Sequence, residues 1–174
     1  PVAAAAASSI QRVSLGRDLP YTAFEEWLLP EGAQPREVAG DPERTFNIIY
    51  SSGTTGTPKG IVHSSAMRWR QISGAALTHY RPDAVTLVST PLYSNTTLVS
   101  FLPSIGGGAK VVLMPKFSTA GFLQLAQQHR ATHAMLVPVQ YKRLMETPEF
   151  DDYDLSSFRM KFCTSAPFAP ALKA

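Results

Sequence analysis

Two rhythms of apolar residues run along the chain. Short apolar runs of strand length occur at Phe46, Ile48, Ile49 and Tyr50, at Gly60-Ile-Val-His63, at Val85 to Thr90, at Lys110 to Met114, at His133 to Val137 and at Met160 to Thr164. Stretches of helical spacing lie among them. Trp69, Ile72, Ala76 and Tyr80 recur at intervals of three and four behind the capping serines Ser64-Ser65. Thr97 to Ile105 predicts a second helix, and Ser118 caps a third that carries Phe122, Leu125 and Ala126. Pro138 opens a fourth at a first-turn position, where its missing N–H costs nothing.

Turn residues punctuate this alternation. Gly106-Gly107-Gly108 separates helix from strand, and Asp154-Leu-Ser-Ser predicts a turn before the last strand. Strands that alternate with helices pair in parallel through crossover helices, so the fold class is α/β: a layered fold with a mainly parallel sheet flanked by helices. Residues 1–44 form a lead-in and connector, and 45–174 the α/β region. In the lead-in, Thr22-Ala-Phe-Glu25 has the capping-box pattern ahead of Phe24, Trp27 and Leu28, which predicts a short helix. Glu31 to Arg44 is rich in Pro, Gly and charge and reads as an exposed connector. There is no internal repeat.

Composition narrows the class further. With 44% hydrophobic and 17% charged residues over 174 positions, the chain has enough apolar surface for a core and is not a disordered one. A formal charge of +3, scattered without long runs, argues against nucleic acid. No window reaches the length of a membrane span, and the alanines after Val2 lack a preceding basic region, so they do not read as a signal peptide. The single cysteine, Cys163, fits a reducing compartment, and the cytoplasm is the expected location. The start at Pro1 without Met and the end at Lys173-Ala174 read as cuts through a longer protein.

The segment Tyr50-Ser-Ser-Gly-Thr-Thr-Gly-Thr-Pro-Lys-Gly60 concentrates the chemistry. Gly53 and Gly56 let the backbone turn sharply and bring N–H groups close to anionic oxygens. Ser51, Ser52, Thr54, Thr55 and Thr57 add hydroxyl donors, and Lys59 adds a mobile positive charge. Composition alone would fit an ordinary surface loop. The order of residues does not: eight specified positions, each met by chance roughly once in fifteen, coincide on the order of once per billion windows. The Walker pattern is excluded, because Pro58 precedes the lysine and Gly60 follows it.

This segment resembles the phosphate loop of the adenylate-forming superfamily, which includes acyl-CoA synthetases, aryl-CoA ligases, nonribosomal peptide adenylation domains and firefly-type luciferases. The resemblance extends from about Asp41 to Ala174. Thr90-Pro-Leu-Tyr-Ser94 is similar to the family's stretch near the acyl pocket, and Gly106-Gly107-Gly108 to its glycine turn. Val137-Pro138 with Tyr141 and Leu144 is similar to a helix start common in the family, and Asp154 to Arg159 to its lead-in to the nucleotide strand. Thr164-Ser-Ala-Pro167 looks like the turn that packs on adenine and the acyl group. Two departures stand out: Ser94 replaces a histidine frequent in relatives, and Thr164-Ser165 replaces glycines.

The resemblance implies part of the large N-terminal domain of an acid-CoA ligase, with the C-terminal domain and its catalytic lysine beyond Ala174. It implies ATP, Mg2+ and coenzyme A as cofactors, and a fatty or aromatic acid activated as acyl-AMP before transfer to CoA. Ser51 to Thr57, Lys59, Thr164, Ser165, Ala166 and Pro167 would bind the nucleotide; Tyr93, Ser94 and Asn95 would line the acid pocket. A nonribosomal-type amino-acid adenylation domain and a non-catalytic phosphate-binding module remain alternatives, and self-association into a homo-oligomer is compatible with an apolar surface left by the cut. No metal site is expected in the chain. His129 and His133, four apart, straddle a helix end and do not read as a ligand pair, and His63 is expected to pack under the loop. Cys163 reads as a small apolar side chain in a buried strand, and Met67, Trp69 and Ile72 as core-facing residues.

Overall fold

The computed structural model describes residues 11–15, 20–34, 36–37, 39–51 and 57–166. They belong to two units, Pro1–Gly40 and Asp41–Ala174. In the first, β1 (Val13–Ser14) pairs in parallel with β2 (Thr22–Ala23), and α1 (Phe24–Trp27) follows directly. The expected capping box is absent. Thr22 is committed to the β1–β2 ladder, so Ala23, which has no side-chain acceptor, becomes the residue before the helix.

The second unit opens with an antiparallel hairpin of β3 (Thr45–Ser51) and β4 (Lys59–Ser64), which runs into α2 (Ser65–Thr78). Ser64 caps α2 as expected, its hydroxyl accepting from the Met67 N–H at 3.3 Å. Then come β5 (Val85–Val88), α3 (Asn95–Gly106), β6 (Lys110–Leu113), α4 (Thr119–His129), β7 (His133–Leu136), α5 (Pro138–Met145), a 3-10 turn at Phe150–Asp152 and β8 (Met160–Cys163). Every helix and strand expected between Phe46 and Thr164 forms. Ser118 caps α4 by accepting from the Gly121 N–H at 3.2 Å.

The four later strands make one parallel sheet in the order β6-β5-β7-β8. From β5 the chain crosses to β6 on one side; from β7 it crosses to β8 on the other. Right-handed crossovers then place α3 on one face and α4 with α5 on the opposite face, so the sheet is doubly wound.

Alternation along the strands sorts the two faces. Leu87, Ala134 and Leu136 join Phe122, Leu123 and Ala126 of α4 and Leu144 of α5 in one apolar core. Thr86, Val88, His133 and Met135 point to the α3 side. That side is wetter in character: the Ser104 hydroxyl donates to Thr86 Oγ1 at 2.7 Å, and the His133 ring lies 4.9 Å from that of Tyr80. Among the buried hydroxyls of the described residues, only the Ser89 Oγ has no partner.

Four positions differ from expectation. Met67 and Trp69 are 50% and 67% exposed, because the stripe of α2 turned inward runs through Arg68, Ile72 and Ala76, one position away from Trp69. Cys163 is only half-buried, since β8 is an edge strand. The α3 helix begins at Asn95, two residues early. Among the described residues, no helix is long and apolar enough to cross a membrane.

Candidate functional site

The glycine-rich segment is the connection of the β3–β4 hairpin. Ser51 pairs with Lys59 in the last rung of the ladder, so both ends of the loop are held at strand spacing. Thr57 and Lys59 are exposed. Ser52, Gly53, Thr54, Thr55 and Gly56 lie outside the described residues, as does Pro167. On the far strand His63 is half-buried, and burial followed by the charge of Arg68 holds its imidazole below the usual value, so it is neutral near pH 7. Its Nδ1 has no partner among the described residues.

A second group gathers at the carboxyl ends of the parallel strands. Connections leave β5 and β7 in opposite directions, and the crevice at such a reversal is where open α/β sheets bind ligands. The segment after β5 is held from below by Thr97, which is fully buried. Its hydroxyl lies 2.6 Å from the Pro91 carbonyl, to which it donates, and 2.7 Å from the Thr90 hydroxyl. Ser94 closes the turn, its N–H donating to Pro91 O at 3.0 Å. Tyr93 stands out at 83% exposed, Asn95 is also exposed, and Ser94 is half-buried.

The segment after β8 is held as firmly. Thr164 N–H donates to Leu136 O at 3.3 Å, and the Tyr141 hydroxyl of α5 donates to Phe162 O at 2.8 Å. Ser165 then turns with φ of 76°, left-handed space that costs a residue with a Cβ about 1 kcal/mol. Its hydroxyl and that of Thr96 are 2.7 Å apart. This bond joins the segment after β5 to the segment after β8 across the end of β7.

Through the Thr96–Ser165 bond the structure joins the segment that carries Ser94 and Asn95 to the segment that carries Thr164 and Ser165, and Ala166 is exposed. No hydrogen bond among the described residues links Thr57 or Lys59 to that group. Three contributors escaped the sequence reading: Thr96, Thr97 and Arg68. Arg68 is 3% exposed and donates to Asn47 Oδ1 at 3.2 Å, Gln71 Oε1 at 2.9 Å and Asn95 Oδ1 at 2.9 Å. The signal for it was available as a cation four residues before Ile72 on an apolar stripe.

No group of three His, Cys, Asp or Glu residues gathers as metal ligands among the described residues. His129 contacts Lys110 on the surface, whereas His133 is buried against Tyr80. Burial, with Arg159 and His79 adding to it, holds His133 below the usual imidazole value.

Comparison with known proteins identifies the family of the chain. The family model for AMP-binding enzymes matches residues 3–174. The chain is 34% identical over 147 residues to indoleacetate–CoA ligase of Aromatoleum aromaticum, covering 80% of this chain and 28% of that ligase. It is 39% identical over 143 residues to 4-coumarate–CoA ligase 3 of Arabidopsis thaliana, covering 79% and 25%. The chain therefore spans a little over a quarter of the length of such relatives.

Among solved structures, the amide bond synthetase McbA of Marinactinospora thermotolerans superposes with a TM-score of 0.79 at 31% identity, over 92% of this chain and 32% of that one. The N-terminal domain of FACL13 from Mycobacterium tuberculosis superposes with a TM-score of 0.68 at 27% identity, over 79% and 35%. With a parallel sheet flanked by helices and a match along nearly its whole length, the chain belongs to the family of AMP-binding, adenylate-forming enzymes as part of the N-terminal domain.

Proposed function

We propose that the full-length protein is an ATP-dependent acid–CoA ligase, which activates a carboxylic acid as its acyl-adenylate and then transfers the acyl group to coenzyme A. The observation that carries this reading is the Thr96–Ser165 bond. It joins the segments expected to hold acid and adenine in the crevice where the sheet reverses direction. Identity to two aryl-acid–CoA ligases supports CoA as acceptor and an aromatic acid over a fatty one.

In this reading Ser51 to Thr57 and Lys59 hold the phosphates. Their donors and the single ammonium balance charge as the acid carboxylate attacks the α-phosphate and pyrophosphate leaves. Exposure of Thr57 and Lys59 at the hairpin end fits a mobile polyanion arriving from solvent. Thr164, Ser165, Ala166 and Pro167 frame the adenine, and Tyr93, Ser94 and Asn95 face the acid. Magnesium would enter with ATP and would supply charge screening of its phosphates. The thiol of CoA then displaces AMP from the acyl carbon. The 174-residue chain by itself is proposed to lack turnover, and the cytoplasm is the proposed location.

Acid-dependent exchange of pyrophosphate into ATP, measured on the full-length protein, tests the first half, and acyl-CoA formation tests the second. Lys59→Ala should lower exchange by roughly a hundred- to a thousandfold, the range seen when one charge-stabilising donor is removed. A folded variant that exchanges at the parent rate would refute the assignment of Lys59 to phosphate.

A further inference from the structure

Arg68 is a buried cation among neutral neighbours. Its three hydrogen-bond partners come from β3, α2 and α3, and all are amide oxygens; no carboxylate among the described residues lies within ion-pair distance of it. A guanidinium donates only, so every amide that faces it must turn its oxygen inward. For Asn95 this decides the orientation: Oδ1 is held 2.9 Å from the guanidinium, and Nδ2, with two N–H donors, is turned away from it.

The position of Asn95 gives this orientation a use. It is the first residue of α3, exposed, next to Ser94 and to Thr96, whose hydroxyl meets Ser165. A surface asparagine left to itself flips at little cost and accepts as readily as it donates. One held by a buried guanidinium can only donate outward.

We propose that Arg68 is a positioning residue for acid selectivity: it holds Asn95 as a fixed hydrogen-bond donor in the acid site, which then favours acids carrying an acceptor on the acyl group over their apolar isosteres. This rests on the acid-activating function proposed above. A neutral hydrogen bond to substrate is worth a preference of about three- to tenfold.

The test uses the full-length enzyme and pairs of acids of matched shape, the 2-, 3- and 4-methoxycinnamates against the corresponding ethylcinnamates, because an ether oxygen accepts and a methylene does not. The readout is the ratio of kcat/KM within each pair, measured by pyrophosphate exchange, beside KM for ATP. The parent enzyme should prefer the methoxy acid about three- to tenfold in at least one pair. Asn95→Asp, which keeps the bond to Arg68 and removes the outward donor, should bring that ratio within twofold of unity with KM for ATP unchanged. Arg68→Met should do the same, Arg68→Lys should recover part of the preference, and Arg68→Met should add nothing in an Asn95→Ala background. Because Asn95 is exposed, its variants read the proposal even where Arg68→Met does not fold. Exchange without any methoxy preference, or an Arg68 effect that persists without Asn95, overturns the proposal alone. Absence of exchange with every acid overturns the ligase function and this proposal with it.

Discussion

Replacing Gly107 by alanine should be among the most damaging single-methyl additions to this chain. Gly107 ends α3, its N–H donating to Pro103 O at 2.8 Å. A Cβ there would collide with the carbonyl oxygen of Tyr80, and would lie 2.9 Å from the Tyr80 carbonyl carbon and 3.1 Å from Pro103 O. Ordinary carbon contacts begin near 3.5 Å, and the obstacle is backbone, so main chain must move. Tyr80 is 2% exposed and its ring packs at a tilt against that of His133, which passes any movement into β7. Overpacking costs 1–3 kcal/mol where side chains can yield, and we expect about 3 kcal/mol here. For a chain of this length that lowers Tm by about 6–12 °C. Gly74→Ala is the internal control: it sits inside α2 with nothing within 4 Å of the added methyl, and should raise Tm by about 1–4 °C through helix propensity. Thermal unfolding followed by circular dichroism reads both. A Gly107→Ala protein that melts within 2 °C of the parent would refute the described approach of α3 to Tyr80.

Three further outcomes are expected. Stability contributed by neutral His133 should be full above the unfolded value of 6.5 and should fall as pH descends toward its lower folded value, because the unfolded chain takes up the proton first. NMR titration of its Cε1 proton checks this, and a midpoint at or above 6.5 would contradict it. Tyr141→Phe removes the bond from α5 to Phe162 O and should cost about 1 kcal/mol, read as a fall in urea midpoint. Ser94→Phe in the full-length enzyme should change which acids support pyrophosphate exchange while KM for ATP stays similar; an unchanged profile across short, long and aromatic acids would refute its place at the acid.

The parallel sheet was legible because its strands are short, apolar and bounded by turn residues, and because serines cap α2 and α4 where local chemistry demands an acceptor. The antiparallel pairing of β3 with β4 was not stated by the pattern, since apolar runs say nothing of partner direction. Thr22 failed as a cap because a ladder with Val13, set by tertiary pairing, overrode a local motif. At the candidate site, the loop was marked by order and composition, and the residues around Ser94 and Thr164 by resemblance to the adenylate-forming superfamily. Thr96 was not, since its partner lies 69 residues away and such a pairing leaves no trace in local spacing; Arg68 was marked only by its place four residues before Ile72, with no sign of its bond to Asn95, 27 residues on.

The strand order also governs how this chain is made. Once β6 has docked, one edge of β5 is closed, but the other waits for β7. Thr132, which donates from its hydroxyl and accepts from the Val85 N–H at that edge, lies 47 positions downstream. At 5–20 residues per second of synthesis, the edge stays open for roughly two to ten seconds. During that interval Val85 to Val88 offers unpaired backbone beside apolar side chains, the template on which neighbouring nascent chains can misassemble. Pairing of Thr132 with Val85 as soon as it emerges would end that exposure.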